Sequence, residues 1–186
     1  MDLELSPQVI TMTAKDFQKW SNNFILETMK TSGVKQAVDK VTAPIWSWGQ
    51  RNAIYPLEFG IACCSLEFAA AYGPRWDMER LGMIPRSSPR QADVLLIMGW
   101  LSVKLRPSLR RLYEQMPEPK WVIAMGECAI SGGPWYDGYN VIQGLDTFVP
   151  VDIYIPGCPP RPEALIDGML KLNKKITAEQ KGTFLD

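Results

Sequence analysis

Histidine is absent from the 186 residues of this chain. Its absence excludes catalytic triads of the usual kind, His-based acid–base pairs and Cys/His zinc fingers. Long hydrophobic runs are also missing, since the longest extends only from Val94 to Leu101, whereas crossing a bilayer takes roughly 20 apolar residues. Any transition-metal chemistry must therefore depend on thiolates, with carboxylates as minor ligands.

An excess of one charge sign is missing too. Lys plus Arg and Asp plus Glu both total 20, so the charge gives no reason to expect nucleic-acid binding. Near the start, Asp2 and Glu4 stand where a secretory signal carries Lys or Arg, and we expect no such signal. We therefore expect a protein of the cytoplasm, or one bound peripherally to the cytoplasmic face of the cell membrane, with its cysteines reduced.

What the chain does have is four cysteines in an unusual arrangement. Cys63 and Cys64 are adjacent, whereas Cys128 and Cys158 stand far along the chain. Each site follows an apolar run typical of a β-strand, and a glycine lies shortly before it. In a reducing compartment, this pattern favours metal binding or redox chemistry over a structural disulfide.

Apolar runs alternate with helical patterns from residue 54 onward. Strands are predicted over 55–62, 92–99, 120–126 and 152–156, and helices over 65–72, 107–116 and 162–176. This order predicts an α/β fold, a flavodoxin-like parallel sheet with helices on both faces. We divide the chain into an N-terminal extension with a first helix near Thr13, an α/β domain that carries all four cysteines and a C-terminal tail, at 1–50, 51–176 and 177–186. The extension is expected to contact a partner or the membrane interface.

The cysteines follow the predicted strands, at the carboxyl ends where parallel sheets bind their ligands. Four thiols brought together from three strand ends suit one 4Fe–4S cluster, which also needs nearby backbone N–H groups. Two alternatives stay open, namely inert buried cysteines and structural zinc. Zinc sites with four cysteines usually contain Cys-x(2–4)-Cys pairs, and the sequence has none.

Long motifs surround the cysteines and cover most of residues 45–176. They are YPLEFGIACCSLE at 55–67, PRSSPRQAD at 85–93, MPEPKW at 116–121, GEC at 126–128 and VPVDIYIPGCPPRPEA at 149–164. Together they resemble the small iron–sulfur subunit of complex I, the 20 kDa subunit. That family includes archaeal members, among them deazaflavin-dependent dehydrogenases, and is kin to the small subunit of nickel–iron hydrogenases.

The resemblance implies that Cys63, Cys64, Cys128 and Cys158 hold the terminal 4Fe–4S cluster of a membrane-bound, proton- or ion-pumping oxidoreductase. The chain would not be catalytic alone. It would pass electrons to a quinone or methanophenazine at the interface with a large hydrogenase-like subunit. A ferredoxin-like iron–sulfur subunit and membrane subunits are further implied partners, with NADH or a reduced deazaflavin as donor. The alternatives are an electron-relay subunit of a membrane-bound nickel–iron hydrogenase and a non-redox zinc module.

Five further candidates for the acceptor site or for tuning the cluster come from the resemblance. Glu67, Asp77 and Asp93 match acidic positions of the family, and Tyr139 and Tyr154 match tyrosines near the cluster. The alternative for Glu67 is a structural role, because a carboxylate in the first turn of a helix is stabilised by the helix dipole.

Five others come from a basic loop and from departures from the family pattern. Met83, Arg86 and Arg90 belong to the loop before the second predicted strand, which is expected to line the acceptor cavity; a solvated basic loop is the alternative. Glu127 replaces a small residue found in many relatives, and its charge is predicted to lower the potential of the cluster. Trp100 stands where relatives often have threonine, and it is predicted to narrow or flatten the acceptor cavity.

Overall fold

The computed structural model describes residues 42, 44, 45 and 47–183. Most of the predicted N-terminal extension, including the helix near Thr13, lies outside these residues. Residues 47–52 are helical and lead into the sheet. No helix in the described part of the chain is long and apolar enough to cross a membrane.

Four parallel strands form one sheet in the order β1-β2-β3-β4. They are β1 (Pro56–Gly60), β2 (Val94–Met98), β3 (Trp121–Met125) and β4 (Ile153–Ile155). β2 and β3 are buried along their whole length, as their continuous apolar runs predict. The register pairs Gly60 with Met98, Met98 with Met125, and Met125 with Ile155. All four strands therefore end together, at what we call the carboxyl edge.

Helices cover both faces of the sheet. They are α1 (Cys64–Ala71), α2 (Arg106–Gln115), α3 (Glu127–Ser131) and α4 (Pro162–Thr183). On one face α1 and α4 share a core with residues such as Leu96 and Ile123. On the other, Leu109 of α2 packs with Leu95 and Val122. The predicted α/β class and its helices on both faces are confirmed.

Most element boundaries lie within two residues of the predictions, but one helix is longer than predicted and another was not predicted. α4 does not stop at Ile176 but continues to Thr183, because neither Pro nor Gly interrupts the chain between Gly168 and Gly182. α3 was not predicted, since five residues are too few for a helical periodicity to register. The division of the chain at residues 50 and 176 stays a prediction.

Candidate functional site

The four cysteines lie at the carboxyl edge. Cys63 precedes the first residue of α1, which is Cys64. Cys128 is the second residue of α3, which begins directly after β3, and Cys158 follows β4. The segments after β1, β3 and β4 thus bring the four cysteines to one edge of the sheet.

The thiols are close enough to influence one another. Burial raises the pKa of Cys64 to about 12, and Cys63, Cys128 and Cys158 add to this rise. Burial also raises the pKa of Cys128, as do, to a smaller extent, Cys158, Cys63 and Glu127. These mutual effects indicate that the four thiols lie near one another at this edge. Cys64 and Cys128 are buried while Cys63 and Cys158 are exposed, so the site opens to the surface.

Backbone hydrogen bonds continue beyond the strands and join the segments of Cys128 and Cys158. The Gly126 N–H donates to the Ile155 carbonyl at 2.8 Å, and the Glu127 N–H donates to the Gly157 carbonyl at 2.9 Å. The Cys158–Pro159 peptide bond is cis. The two hydrogen bonds hold the segments of Cys128 and Cys158 side by side.

Glycines let the backbone approach the cysteine segments closely. A Cβ at Gly126 would lie 2.6 Å from the Cys64 Sγ, and one at Gly133 would lie 3.0 Å from the Cys128 nitrogen. A Cβ at Gly99 would meet the side chains of Ile61 and Ala62 at 2.8 Å, just before Cys63. The edge is thus shaped around the thiols by residues that have no side chain.

Among the described residues, no three His, Cys, Asp or Glu groups are arranged to hold a single metal ion. The ligands of a 4Fe–4S cluster bind four different iron atoms, so they lie further apart than the ligands of one ion. The four thiols are donors of the kind that hold iron–sulfur clusters.

The acidic candidates are distributed over the molecule. Glu67 lies in the first turn of α1, three residues after Cys64. Asp77 is exposed and has a φ of 45°. Asp93 precedes β2, and its carbonyl accepts the Trp121 N–H at the start of β3. It therefore lies at the end of the sheet opposite the cysteines, about 17 Å away for a strand of this length. Its half-buried position raises its pKa.

The basic loop is docked along the outer side of β1. Met83 forms a β-bridge with Ile54 and Arg86 forms one with Leu57. Met83 is fully buried in the core, whereas Arg86 is exposed, with its guanidinium 4.9 Å from the ring centre of Tyr55. Arg90 is exposed in a short 3-10 turn. In this chain, the Met83 side chain lines the core and not an open cavity.

Exposed aromatic side chains lie beyond the carboxyl edge. Trp100, which follows Gly99, has its ring 6.2 Å from that of Trp135. An antiparallel bridge between Ser102 and Val141 joins the two segments. Tyr139 is 96% exposed. We call Trp100, Trp135, Tyr136 and Tyr139 the aromatic rim.

Sequence reasoning missed Trp135 and Tyr136. They could have been found from the sequence, because residues 132–140 combine several aromatic residues with Gly and Pro. Such a segment has no helix or strand pattern that would bury the aromatic side chains. Of the two remaining candidates, Tyr154 is an exposed residue of β4 and Glu127 is the partly buried first residue of α3.

Comparison with protein-family models gives one match that spans the site. The model described as NADH ubiquinone oxidoreductase, 20 Kd subunit, matches residues 62–172, which include all four cysteines. The chain belongs to this family. The resemblance seen in the sequence motifs is thereby confirmed.

Relatives of this 20 kDa subunit family are similar over most of the chain. An NADH-quinone oxidoreductase subunit from Amoebophilus asiaticus is 55% identical over 72% of this chain and 84% of that protein. NAD(P)H-quinone oxidoreductase subunit K 2 from Synechocystis sp. is 51% identical over 76% of this chain and 65% of that protein. The chain thus spans just under two thirds of the second relative's length.

A solved structure also contains a member of this fold. It is the structure of the membrane-bound sulfane sulfur reductase, an archaeal respiratory membrane complex, with a TM-score of 0.69 and 41% identity. The match covers 73% of this chain and 76% of that chain. The 20 kDa family fold therefore also occurs in a respiratory complex with a different named activity.

Proposed function

We propose that this chain is an electron-transfer subunit of a membrane-associated oxidoreductase of the complex I type. In this proposal Cys63, Cys64, Cys128 and Cys158 hold one 4Fe–4S cluster. The observation that carries it is the convergence of the four thiols at the carboxyl edge. When bound, the cluster would supply one-electron redox chemistry. The names of the relatives support a quinone as the acceptor of the whole enzyme.

The residues at the edge fit such a group. Iron–sulfur clusters are held by thiolates, and thiols are the donors that this site offers. Iron uptake must displace protons, above all from Cys64, whose pKa is about 12. The backbone N–H of Cys128 counteracts part of the rise in the pKa of its own thiol, so it stabilises negative charge there. The exposed Cys63 and Cys158 leave a path by which iron and sulfide can enter.

Metal analysis of the anaerobically purified full chain tests the proposal. We expect about four irons and about four sulfides per chain, as for one 4Fe–4S cluster, and an EPR signal on reduction. Replacing any one of the four cysteines by Ser should remove that signal. About one zinc per chain, with no sulfide, would contradict the cluster and favour the structural zinc module.

Glu127 is proposed to tune the cluster. Its carboxylate lies beside Cys128 and already raises the pKa of that thiol. The same negative charge would oppose the addition of an electron and lower the reduction potential. In Glu127→Gln the potential, measured by redox titration of the EPR signal, should be higher than in wild type. An unchanged potential would contradict this role.

The acceptor is the finer part of the proposal. We favour a quinone or methanophenazine bound where this chain meets a large hydrogenase-like subunit, with a ferredoxin-like subunit and membrane subunits completing the complex on the cytoplasmic face. NADH and a reduced deazaflavin are the two donors proposed. Assays of the purified complex with each donor and acceptor pair would identify the reaction.

A second candidate function is supported by the solved neighbour, whose complex reduces sulfane sulfur. With this second function, the chain would relay electrons in a complex that has no quinone cavity, as it would in a membrane-bound nickel–iron hydrogenase. Reduction of a sulfane sulfur compound, but not of quinone, by the purified complex would favour this second candidate. Nickel-binding cysteines in the large partner would indicate the hydrogenase.

A further inference from the structure

Gly126 lies where the segments that carry three of the cysteines meet. It connects β3 to α3 with φ 88° and ψ 157°, a conformation that only glycine adopts readily. A Cβ on this residue would lie 2.6 Å from the Cys64 Sγ, 3.4 Å from the Gly157 carbonyl oxygen and 3.6 Å from the Pro160 Cδ. Cys64 belongs to the segment after β1, and Gly157 and Pro160 flank Cys158. Gly126 therefore touches two cysteine segments and begins the third.

The main chain at Gly126 is fixed on both sides. Its N–H donates to the Ile155 carbonyl, and its own carbonyl accepts the N–H groups of Ala129 and Ile130 at 3.1 and 3.2 Å. The next N–H, of Glu127, donates to the Gly157 carbonyl. A side chain added here cannot be accommodated by a shift of the backbone without breaking these bonds. The nearest atom to such a side chain is the Cys64 Sγ, the end of a buried side chain, which is easier to displace than the hydrogen-bonded backbone.

We propose that Gly126 is a positioning residue that sets the separation of the Cys64 thiol from the segments of Cys128 and Cys158. The inference rests on the proposed function, because the distance it sets is the one that four ligands of a single cluster must satisfy. A methyl group at this position would push one sulfur away from the other three. The remaining thiols would keep their places, since the backbone bonds around them do not involve Cys64.

Gly126→Ala in the full chain, reconstituted anaerobically with iron and sulfide, tests the inference. We expect loss of about one iron of the four expected per chain, together with loss of the EPR signal seen in reduced wild type. The matched control is Gly132→Ala, at the other end of α3. Gly132 also has a positive φ, of 91°, but its Cβ would have its nearest neighbour at 3.5 Å, an ordinary contact. This control should keep wild-type iron content and signal.

A second readout does not depend on the cluster. In the metal-free full chain, alkylation of Cys64, followed by mass spectrometry, should be several-fold faster in Gly126→Ala than in wild type or Gly132→Ala, because the displaced sulfur loses its burial. If wild type binds no iron but the alkylation differs as expected, the proposed function fails and the positioning of the thiol by Gly126 stands. If wild type binds iron and Gly126→Ala matches it in both measurements, the inference about Gly126 is overturned.

A double variant separates the contact with the thiol from backbone strain. Strain alone should lower the Tm by about 2–8 °C in Gly126→Ala, and the contact should lower it further. Cys64→Ala removes the sulfur, so the Gly126→Ala/Cys64→Ala chain should recover the part of the Tm loss due to contact. Should Gly126→Ala fail to fold, this double variant should restore folding. A Tm loss that is the same with and without the Cys64 sulfur would overturn the inference.

Discussion

At the scale of single residues, the chemistry of this chain is limited to what thiols, carboxylates and phenols can do. The buried Cys64 and Cys128 have raised pKa values, so in the absence of metal these thiols retain their protons at neutral pH. Glu127 directly precedes Cys128 and Glu67 lies three residues after Cys64, whereas Asp93 occupies the other end of the sheet. Asp93 could therefore affect the electron-transfer site only from a distance equal to the length of a strand.

Asp93→Asn should stabilise the protein at neutral pH. Burial raises the pKa of Asp93 above its ordinary value of 3.8, so the folded state binds the proton more tightly than the unfolded state. The protonated Asp93 side chain therefore contributes stability below pH 3.8, and this contribution is lost as the pH rises through the pKa of Asp93 in the folded state. The Asn side chain has nearly the same shape and removes the half-buried charge.

Urea unfolding from about pH 8 down to about pH 4 measures the effect of Asp93→Asn. The variant should gain stability over wild type at the upper end, and the gain should shrink towards the lower end. Asp137→Asn, at an exposed position where Asn also tolerates the positive φ, should leave stability unchanged. A gain that grew with falling pH would contradict this argument.

At the scale of elements, β4 is short, and the residue before it, Asp152, links it to β3 and α4 through a hydrogen bond and an ion pair. The Asp152 Oδ2 accepts the Val122 N–H at 2.8 Å, and its Oδ1 accepts the Lys175 ammonium at 2.5 Å. One carboxylate thus connects β4 with β3 and α4. Cys158 lies three residues after the end of β4, so these contacts at the amino end of the strand help to hold the segment that carries this cysteine.

Asp152→Ala should destabilise the fold by about 1–3 kcal/mol, because it leaves the Val122 N–H without its acceptor. Thermal unfolding should show a Tm lower by several degrees. Asp152→Asn keeps an acceptor for that N–H and loses only the charge pairing with Lys175, so its loss should be smaller. Equal losses in the two variants would mean that the ion pair, and not the N–H contact, carries the stabilisation.

At the scale of the whole molecule, residues 47–183 bury an apolar core on each face of the sheet and leave the carboxyl edge open. Next to that edge Trp100 is 39% exposed and Trp135 is 56% exposed. Grouped exposed aromatic side chains of this kind are typical of surfaces that contact other molecules. The site and the surface best suited for a partner subunit therefore lie together.

Tyr139→Ser should separate assembly from folding. Tyr139 is 96% exposed, so its loss should change the free energy of unfolding by less than about 0.5 kcal/mol. If the aromatic rim contacts a partner, the variant should be recovered with the membrane complex about tenfold less than wild type. The control is Arg111→Ser, on the exposed face of α2. Recovery equal to wild type would remove Tyr139 from the interface.

The sequence by itself determined the α/β class, the four strands and the positions of the cysteines just after three of them. Local apolar periodicity is sufficient for this, because a buried parallel strand reads as a continuous apolar run and its carboxyl end is where the run stops. The predicted strand over 92–99 already placed Asp93 at its amino end, although the resemblance had grouped Asp93 with the candidates for the acceptor site or for tuning the cluster.

Only the tertiary structure decided which segments touch. Trp135 is beside Trp100 because a bridge joins Ser102 to Val141, and Gly126 meets Cys64 because β1 and β3 flank β2 and end in register with it. Met83 is buried because its segment docks on β1. The spacing of apolar residues shows only on which side of its own helix or strand a residue lies. Distances between loops from different strands are set by register and packing, which no single stretch of sequence contains.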